Sequence, residues 1–258
     1  MCLILFSWNH HPDFKLVLLA NRDEFYNRPT MKAHFWEEDS SVFAGKDLAA
    51  GGTWMGINTR GKFAAVTNYR DFNKNKQSLQ YKSRGSLVAE YLKDDISPGE
   101  YVQRIDSEPD LYDGFNIVIG DPDHLYYYSN IEKKIKKLSS GIYGLSNHLL
   151  DTPWPKVTKG KKLLEEAIKG NFIEDEGLLN LLDNVDIPLV ELLPDTGIGI
   201  DFERKLSPLF IKMSDYGTRS STLLKISKKK DYIFREWTFE AGVFKEEVIK
   251  SLNLLTIY

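Results

Sequence analysis

Apolar residues in this chain fall mostly into short runs bounded by turn residues, as strands do, and in two intervals they take a helical spacing instead. Residues 2–8 contain Leu3-Ile4-Leu5-Phe6, and residues 15–20 read Lys15-Leu16-Val17-Leu18-Leu19-Ala20; Pro12-Asp13 between them predicts a hairpin. Further strands are expected at 51–58 and 62–69, hinged at Thr59-Arg60-Gly61. The first helical interval begins where Ser83-Arg84-Gly85-Ser86 caps 87–92. Ser97-Pro98 then supplies an N-cap and an N1 proline for a helix through 101–105. Strands return at 115–119, 124–129, 131–138 and 142–146. A second helical pair is predicted at about 156–169, stopped by Gly170, and at about 175–184. Residues 185–205 are less regular, and strands close the chain at 208–213, 221–227, 231–239 and 242–249.

Strands, a helix pair, strands, a helix pair and strands, joined by short links, imply antiparallel sheets. Segments such as 115–119 are apolar on both faces, so the sheets are covered on both sides. The economical architecture is α+β: two stacked, mainly antiparallel sheets with helices outside.

Composition narrows the class. The 258 residues carry a net charge of -3 and are 42% hydrophobic, enough core for one α+β domain over 1–258 or for two intimate ones. No long basic or acidic run divides the halves, which argues against a nucleic-acid partner. No apolar stretch approaches the ~20 residues of a membrane span, and the apolar N-terminus is too short for a signal sequence. A single cysteine forbids an intramolecular disulfide and fits a reducing compartment. These features together predict a cytoplasmic protein.

That cysteine, Cys2, is also the candidate nucleophile. A small residue at position 2 permits removal of Met1, after which Cys2 carries both a thiol and a free α-amine, nucleophile and base on one residue. A nearby cation would lower the thiol pKa below its free value of about 8.5. Against this, a lone cysteine on an apolar strand commonly serves as a small buried hydrophobe. Other motifs fail on inspection. Gly56-Ile57-Asn58-Thr59-Arg60-Gly61-Lys62 has phosphate-loop spacing, but Phe63 replaces the hydroxyl residue and no helix follows. Gly144-Leu145-Ser146-Asn147-His148 lacks the last glycine of a serine nucleophile elbow. The five histidines show no metal spacing, and nothing calls for a cofactor. What remains is a set of polar residues at strand ends: Arg22, Asp23, Asn68, Asn147 and Arg219. Each is at home in a turn by itself. As a set with Cys2, they supply the cation, carboxylate and amide donors that thiol attack on an amide requires.

Cys2, Asn21-Arg22-Asp23-Glu24, Gly51-Gly52-Thr53-Trp54-Met55-Gly56, Thr67-Asn68-Tyr69, Gly114-Phe115-Asn116, Tyr143-Gly144-Leu145-Ser146-Asn147, Thr152-Pro153-Trp154 and Tyr216-Gly217-Thr218-Arg219 resemble the signature blocks of the NRDE family, over almost the whole chain. That family is named for its tetrapeptide and includes the transport and Golgi organization 2 proteins. It is similar, more distantly, to N-terminal-nucleophile (Ntn) hydrolases of the choloylglycine hydrolase and penicillin V acylase type. The resemblance implies a four-layer αββα sandwich in a single domain and action on a small acyl amide or thioester. It further implies Cys2 as nucleophile, Arg22 beside the thiolate, Asp23 orienting the amine, Asn68 and Asn147 serving the oxyanion and the amine, and Arg219 supporting the nucleophile. In those hydrolases the early Arg and Asp are separated. Here Arg22 and Asp23 are adjacent and, on a regular strand, face opposite ways. Eukaryotic relatives are associated with haem and with lipid or acyl-CoA handling, so the resemblance also implies a second class of function: a non-catalytic carrier of a small apolar ligand in an old hydrolase cleft. Trp54, Tyr69, Phe115 and Trp154 are candidates to line its pocket.

Overall fold

The hairpin read at the N-terminus, β1 (Cys2–Trp8) and β2 (Phe14–Phe25), lies inside a six-stranded antiparallel sheet. A computed structural model describes residues 2–72, 80–170 and 173–253. The remaining strands are β3 (Thr30–Phe35), β4 (Val42–Asp47), β5 (Met55–Asn58), β6 (Phe63–Asn68), β7 (Phe115–Gly120), β8 (Leu125–Ser129), β9 (Lys136–Lys137), β10 (Gly141–Leu145), β11 (Tyr216–Ser227), β12 (Asp231–Glu240) and β13 (Val243–Asn253). The first sheet has the order β10-β1-β2-β11-β12-β13, and β3 to β9 form the second in simple succession. Helices α1 (Arg84–Lys93) and α2 (Pro98–Ser107) cover the second sheet; α3 (Pro155–Ala167) and α4 (Asp175–Leu181) cover the first. A short α5 (Ile200–Lys205) precedes β11. The result is the expected α+β sandwich of helix, sheet, sheet and helix layers. No helix among the described residues is long and apolar enough to cross a membrane.

Strand alternation creates the layers. On β1 and β2, Ile4, Phe6, Leu16 and Leu18 enter the core between the sheets, while Leu3, Leu5, Val17 and Leu19 pack under α3 and α4. Both faces are therefore apolar, as the double run of hydrophobic residues implied. Local signals set the helix starts: Ser97 accepts from the Glu100 main chain while Glu100 returns a bond to the Ser97 N–H, a capping box with Pro98 behind it. Two glycines let α3 lie close to its sheet. A Cβ on Gly160 would come within 2.6 Å of Leu5, and one on Gly144 within 2.8 Å of Val157.

Several boundaries differ from the sequence reading. β3 and β4 were not foreseen, because TMKAHF on an outer strand carries no clean alternation. The predicted strand 208–213 is absent: Leu209, Phe210 and Ile211 are buried, but their backbone bonds are divided among separate partners, Asn21 Nδ2 to Leu209 O, Phe210 N to Asn184 O, Ile211 N to Thr218 Oγ1 and Thr218 N to Ile211 O, rather than forming a strand ladder. The strand 131–138 shrinks to β9, and β11 begins at Tyr216 rather than 221. Most consequentially, β2 does not end at Ala20 but continues through Asn21-Arg22-Asp23-Glu24, flanked on both sides by β1 and β11.

A buried carboxyl joins the two sheets. Glu236 of β12 accepts the Ala33 N–H at 2.7 Å, in the part of β3 where the register with β4 shifts between Met31 and His34. Burial pushes the Glu236 carboxyl up to about 7 from an ordinary 4.5. Between those values the folded protein keeps a proton that the unfolded chain releases, so this group's contribution to stability falls as pH rises through the window. Glu236→Gln keeps the acceptor and removes the titration. Urea denaturation should therefore show a flatter stability profile from about pH 4.5 to 7 than wild type, with the variant roughly 1–3 kcal/mol ahead at pH 7.

Candidate active site

Cys2 stands directly opposite Arg22 in the β1–β2 pairing, so their Cβ atoms are about 5 Å apart on the face between the sheets. Arg22 is buried and held from three sides by the second sheet. Its guanidinium lies 4.1 Å from the Trp54 ring centroid, donates to Thr30 Oγ1 at 3.2 Å and sits 3.6 Å from Asp47 Oδ2. Asp47 is shared with Arg28, whose Nε is 2.7 Å away. Arg22, Arg28, Asp47 and Trp54 line a cavity of about 430 Å³ together with Cys2, Asn68 and Arg84.

Asp23, one residue on, faces the other side of β2. Its Oδ1 accepts from Thr218 Oγ1 at 2.7 Å, and its carboxyl is fully buried in the helix-covered layer. Adjacency thus has a plain outcome: the strand does not bend, and the two charges serve opposite faces. The main chain of Asp23 still favours the ionised Cys2 thiol, against the burial that opposes it. Asn21, the first residue of the tetrapeptide, is structural, its Nδ2 donating to Leu182 O and Leu209 O.

The far side of Cys2 is clasped by the residues after β10. Asn147 Oδ1 accepts from the Cys2 nitrogen at 3.3 Å, and Ser146 Oγ donates to the Cys2 carbonyl at 3.1 Å. Asn147 Nδ2 in turn donates to the Asn68 carbonyl at 2.9 Å, tying the end of β10 to the end of β6. The Asn68 residue is exposed and borders the Cys2 cavity. Arg219 behaves differently. It occupies a bulge where β11 slips one residue against β2, between Thr218 and Ser220. Its Nη1 donates to the carbonyls of Phe25, Tyr26 and Arg28 at 2.9–3.1 Å, so it secures the turn carrying Arg28 rather than lining the cavity.

Electrostatics correct one expectation. The Cys2 thiol is pushed up from its ordinary value, first by burial and then by the Asp23 charge, with Arg22 acting in the opposite direction. Desolvation wins over the cation. Two further groups were missed in the sequence. Arg84 was read only as part of a helix cap, yet it borders the cavity and its charge couples to Cys2. Lys156 is buried at the start of α3 and couples to Asp23 and Cys2. The available signal was a lysine in the first turn of an apolar-faced helix, where the helix dipole disfavours it.

Beside this cavity lies a larger one of about 1090 Å³. The two share Glu24, Asn68, Tyr81, Arg84 and Asp113, and the larger is walled by Phe25, Tyr69, Phe72, Phe202, Met213 and Tyr216 among others. Of the aromatics expected to line a pocket, Tyr69 borders the larger cavity and Trp54 the smaller. Phe115 is core beneath α1 and α2, and Trp154 packs under α3.

The family description Transport and Golgi organisation 2 matches residues 1–241. The chain belongs to this family. Transport and Golgi organisation 2 relatives include the Bos taurus homolog, 37% identical over 257 residues and 92% of each chain, and the Drosophila melanogaster protein, 29% identical over 266 residues and 92% of each chain. Among solved structures, the chain is similar to the C2A mutant of conjugated bile acid hydrolase from Clostridium perfringens, with TM-score 0.53, 10% identity, and coverage of 100% of this chain and 94% of that one. It is also similar to penicillin V acylase from Agrobacterium tumefaciens, with TM-score 0.50, 11% identity, and the same coverage. At such identities the likeness establishes the fold: this Transport and Golgi organisation 2 member has the sandwich of Ntn hydrolases.

Because Arg22 is the cation on the thiol's own face, Arg22→Met should raise the Cys2 pKa further. Asp47 keeps Arg28 as partner, so the loss falls on the thiol. Alkylation by iodoacetamide at pH 7 should slow by about tenfold, and its pH midpoint should move upward by about one unit. An unchanged profile would remove Arg22 from the thiol's environment.

Proposed function

We propose that this protein is a cysteine hydrolase whose Cys2, freed of Met1, attacks the carbonyl of a small acyl amide or thioester. The hydrogen bond between the Cys2 nitrogen and Asn147 Oδ1 carries the reading. With Met1 removed that nitrogen becomes an α-amine, and an acceptor facing it turns the lone pair toward the thiol proton. The amine takes that proton while sulfur adds to the carbonyl carbon, and Arg22 attracts the charge developing on sulfur. Asn68 donates to the oxyanion. Collapse of the adduct expels the amine or thiol leaving group with the proton held by the Cys2 ammonium, leaving an acyl thioester on Cys2. Water, deprotonated by the same amine, then releases the acid and restores the thiol. Burial raises the thiol, which runs against this reading, so the amine and Arg22 must together overcome desolvation for the sulfur to ionise. The cysteine that the C2A mutation removes from the bile acid hydrolase occupies the same position in its chain.

A second reading, a carrier of an apolar small molecule such as a lipid or haem, draws support from the larger cavity and its aromatic walls. The two readings part at Cys2. Intact-mass analysis of untagged protein should show a chain beginning at Cys2, and incubation with a panel of acyl amides and acyl thioesters should add one acyl mass that Cys2→Ala abolishes. Retained Met1 would end the amine-as-base mechanism, and no acylation together with undiminished binding of haem or a fluorescent fatty acid by Cys2→Ala would replace the hydrolase with the carrier.

A further inference from the structure

We propose that Lys156 is a positioning residue of this site: its buried ammonium neutralises the Asp23 carboxylate behind β2 and so keeps a negative charge from opposing the Cys2 thiolate. The inference rests on the reading of Cys2 as nucleophile and adds to it a group from the helix layer.

Lys156 is 4% exposed, and a buried ammonium persists only where a compensating charge accompanies it. Helix stability does not account for its place, because it lies in the first turn of α3, where the dipole repels cations and no acidic residue is present. The close seating of α3 on β1 and β10, permitted by Gly144 and Gly160, brings that turn onto the face of the sheet to which Asp23 points. The groups acting on Lys156 are Asp23 from β2, Cys2 from β1, Arg70 from the segment after β6 and Glu203 from α5. Arg70 and Glu203 are paired with each other at 2.9 Å, and Glu203 also accepts from the Thr196 N–H. Asp23, buried on the same helix-covered face of the sheet, is the carboxylate that acts most strongly on Lys156. The attraction is mutual: burial pulls Lys156 down to about 8 and Asp23 resists, while burial lifts Asp23 and Lys156 resists. Seen from Cys2, Asp23 raises the thiol pKa, and Lys156 supplies the opposing sign.

The protein has one cysteine, so iodoacetamide labelling of the whole chain, read by mass spectrometry across pH, reports Cys2 alone. Lys156→Met should move the labelling midpoint upward and slow labelling at pH 7 by about tenfold. Asp23→Asn should move it downward, and the double variant should return to within about twofold of wild type, because a pair of opposite charges has been removed together. A Lys156→Met profile that superimposes on wild type overturns the inference. If that single variant does not fold by circular dichroism, Asp23→Asn and the double variant decide: adding Lys156→Met to Asp23→Asn must raise the midpoint, and an unchanged midpoint overturns it. Shifts as expected in a protein that no acyl compound acylates would keep Lys156 in its place and discard the hydrolase reading alone.

Discussion

A single constraint organises the site: side chains of a β-strand alternate, so a step of one residue along β2 crosses from one layer of the sandwich to another. Arg22 goes to the space between the sheets, opposite Cys2 and against Trp54, Thr30 and Asp47. Asp23 goes to the helix-covered side, to Thr218 and the neighbourhood of Lys156. Two charges of opposite sign, adjacent in the chain, are thereby separated by the thickness of one sheet, with the first residue of β1 beside both.

Burying these charges requires partners, and the partners bind the layers together. Arg22 draws on the second sheet, Asn147 links the end of β10 to the end of β6, and Glu236 reaches across to Ala33. Each leaves a polar group satisfied that would otherwise cost a few kcal/mol in a low-dielectric interior. The same interior sets the chemistry, since desolvation outweighs the cation at Cys2. A thiol in that state is held in its protonated form, beside a main-chain nitrogen that donates to Asn147.

Two adjoining cavities give the site its reach. The smaller brings charge to Cys2, and the larger offers aromatic surface with volume for a sizeable apolar group. Asn68 and Arg84 stand where they meet, so polar side chains mark the junction of the two cavities.

The sequence by itself determined the layers: apolar runs without solvent faces require covered sheets, turn residues limit the strands, and Ser97-Pro98 starts a helix through bonds within one turn. It also marked Cys2, Arg22, Asp23, Asn68 and Asn147 as polar groups at or near the margins of apolar strands. Tertiary structure decided how they are shared out. Whether β2 stopped at Ala20 or ran on depended on β1 and β11 lying on either side to accept its backbone bonds. Arg219 was assigned to the turn carbonyls by a bulge in β11 that no local pattern announces. Lys156 became part of the site only because α3 settles closely on β1, which depends on two glycines and a leucine distant in the chain. Local propensity acts through neighbours in sequence, whereas the pairing of a buried charge is chosen by whatever the folded layers bring next to it.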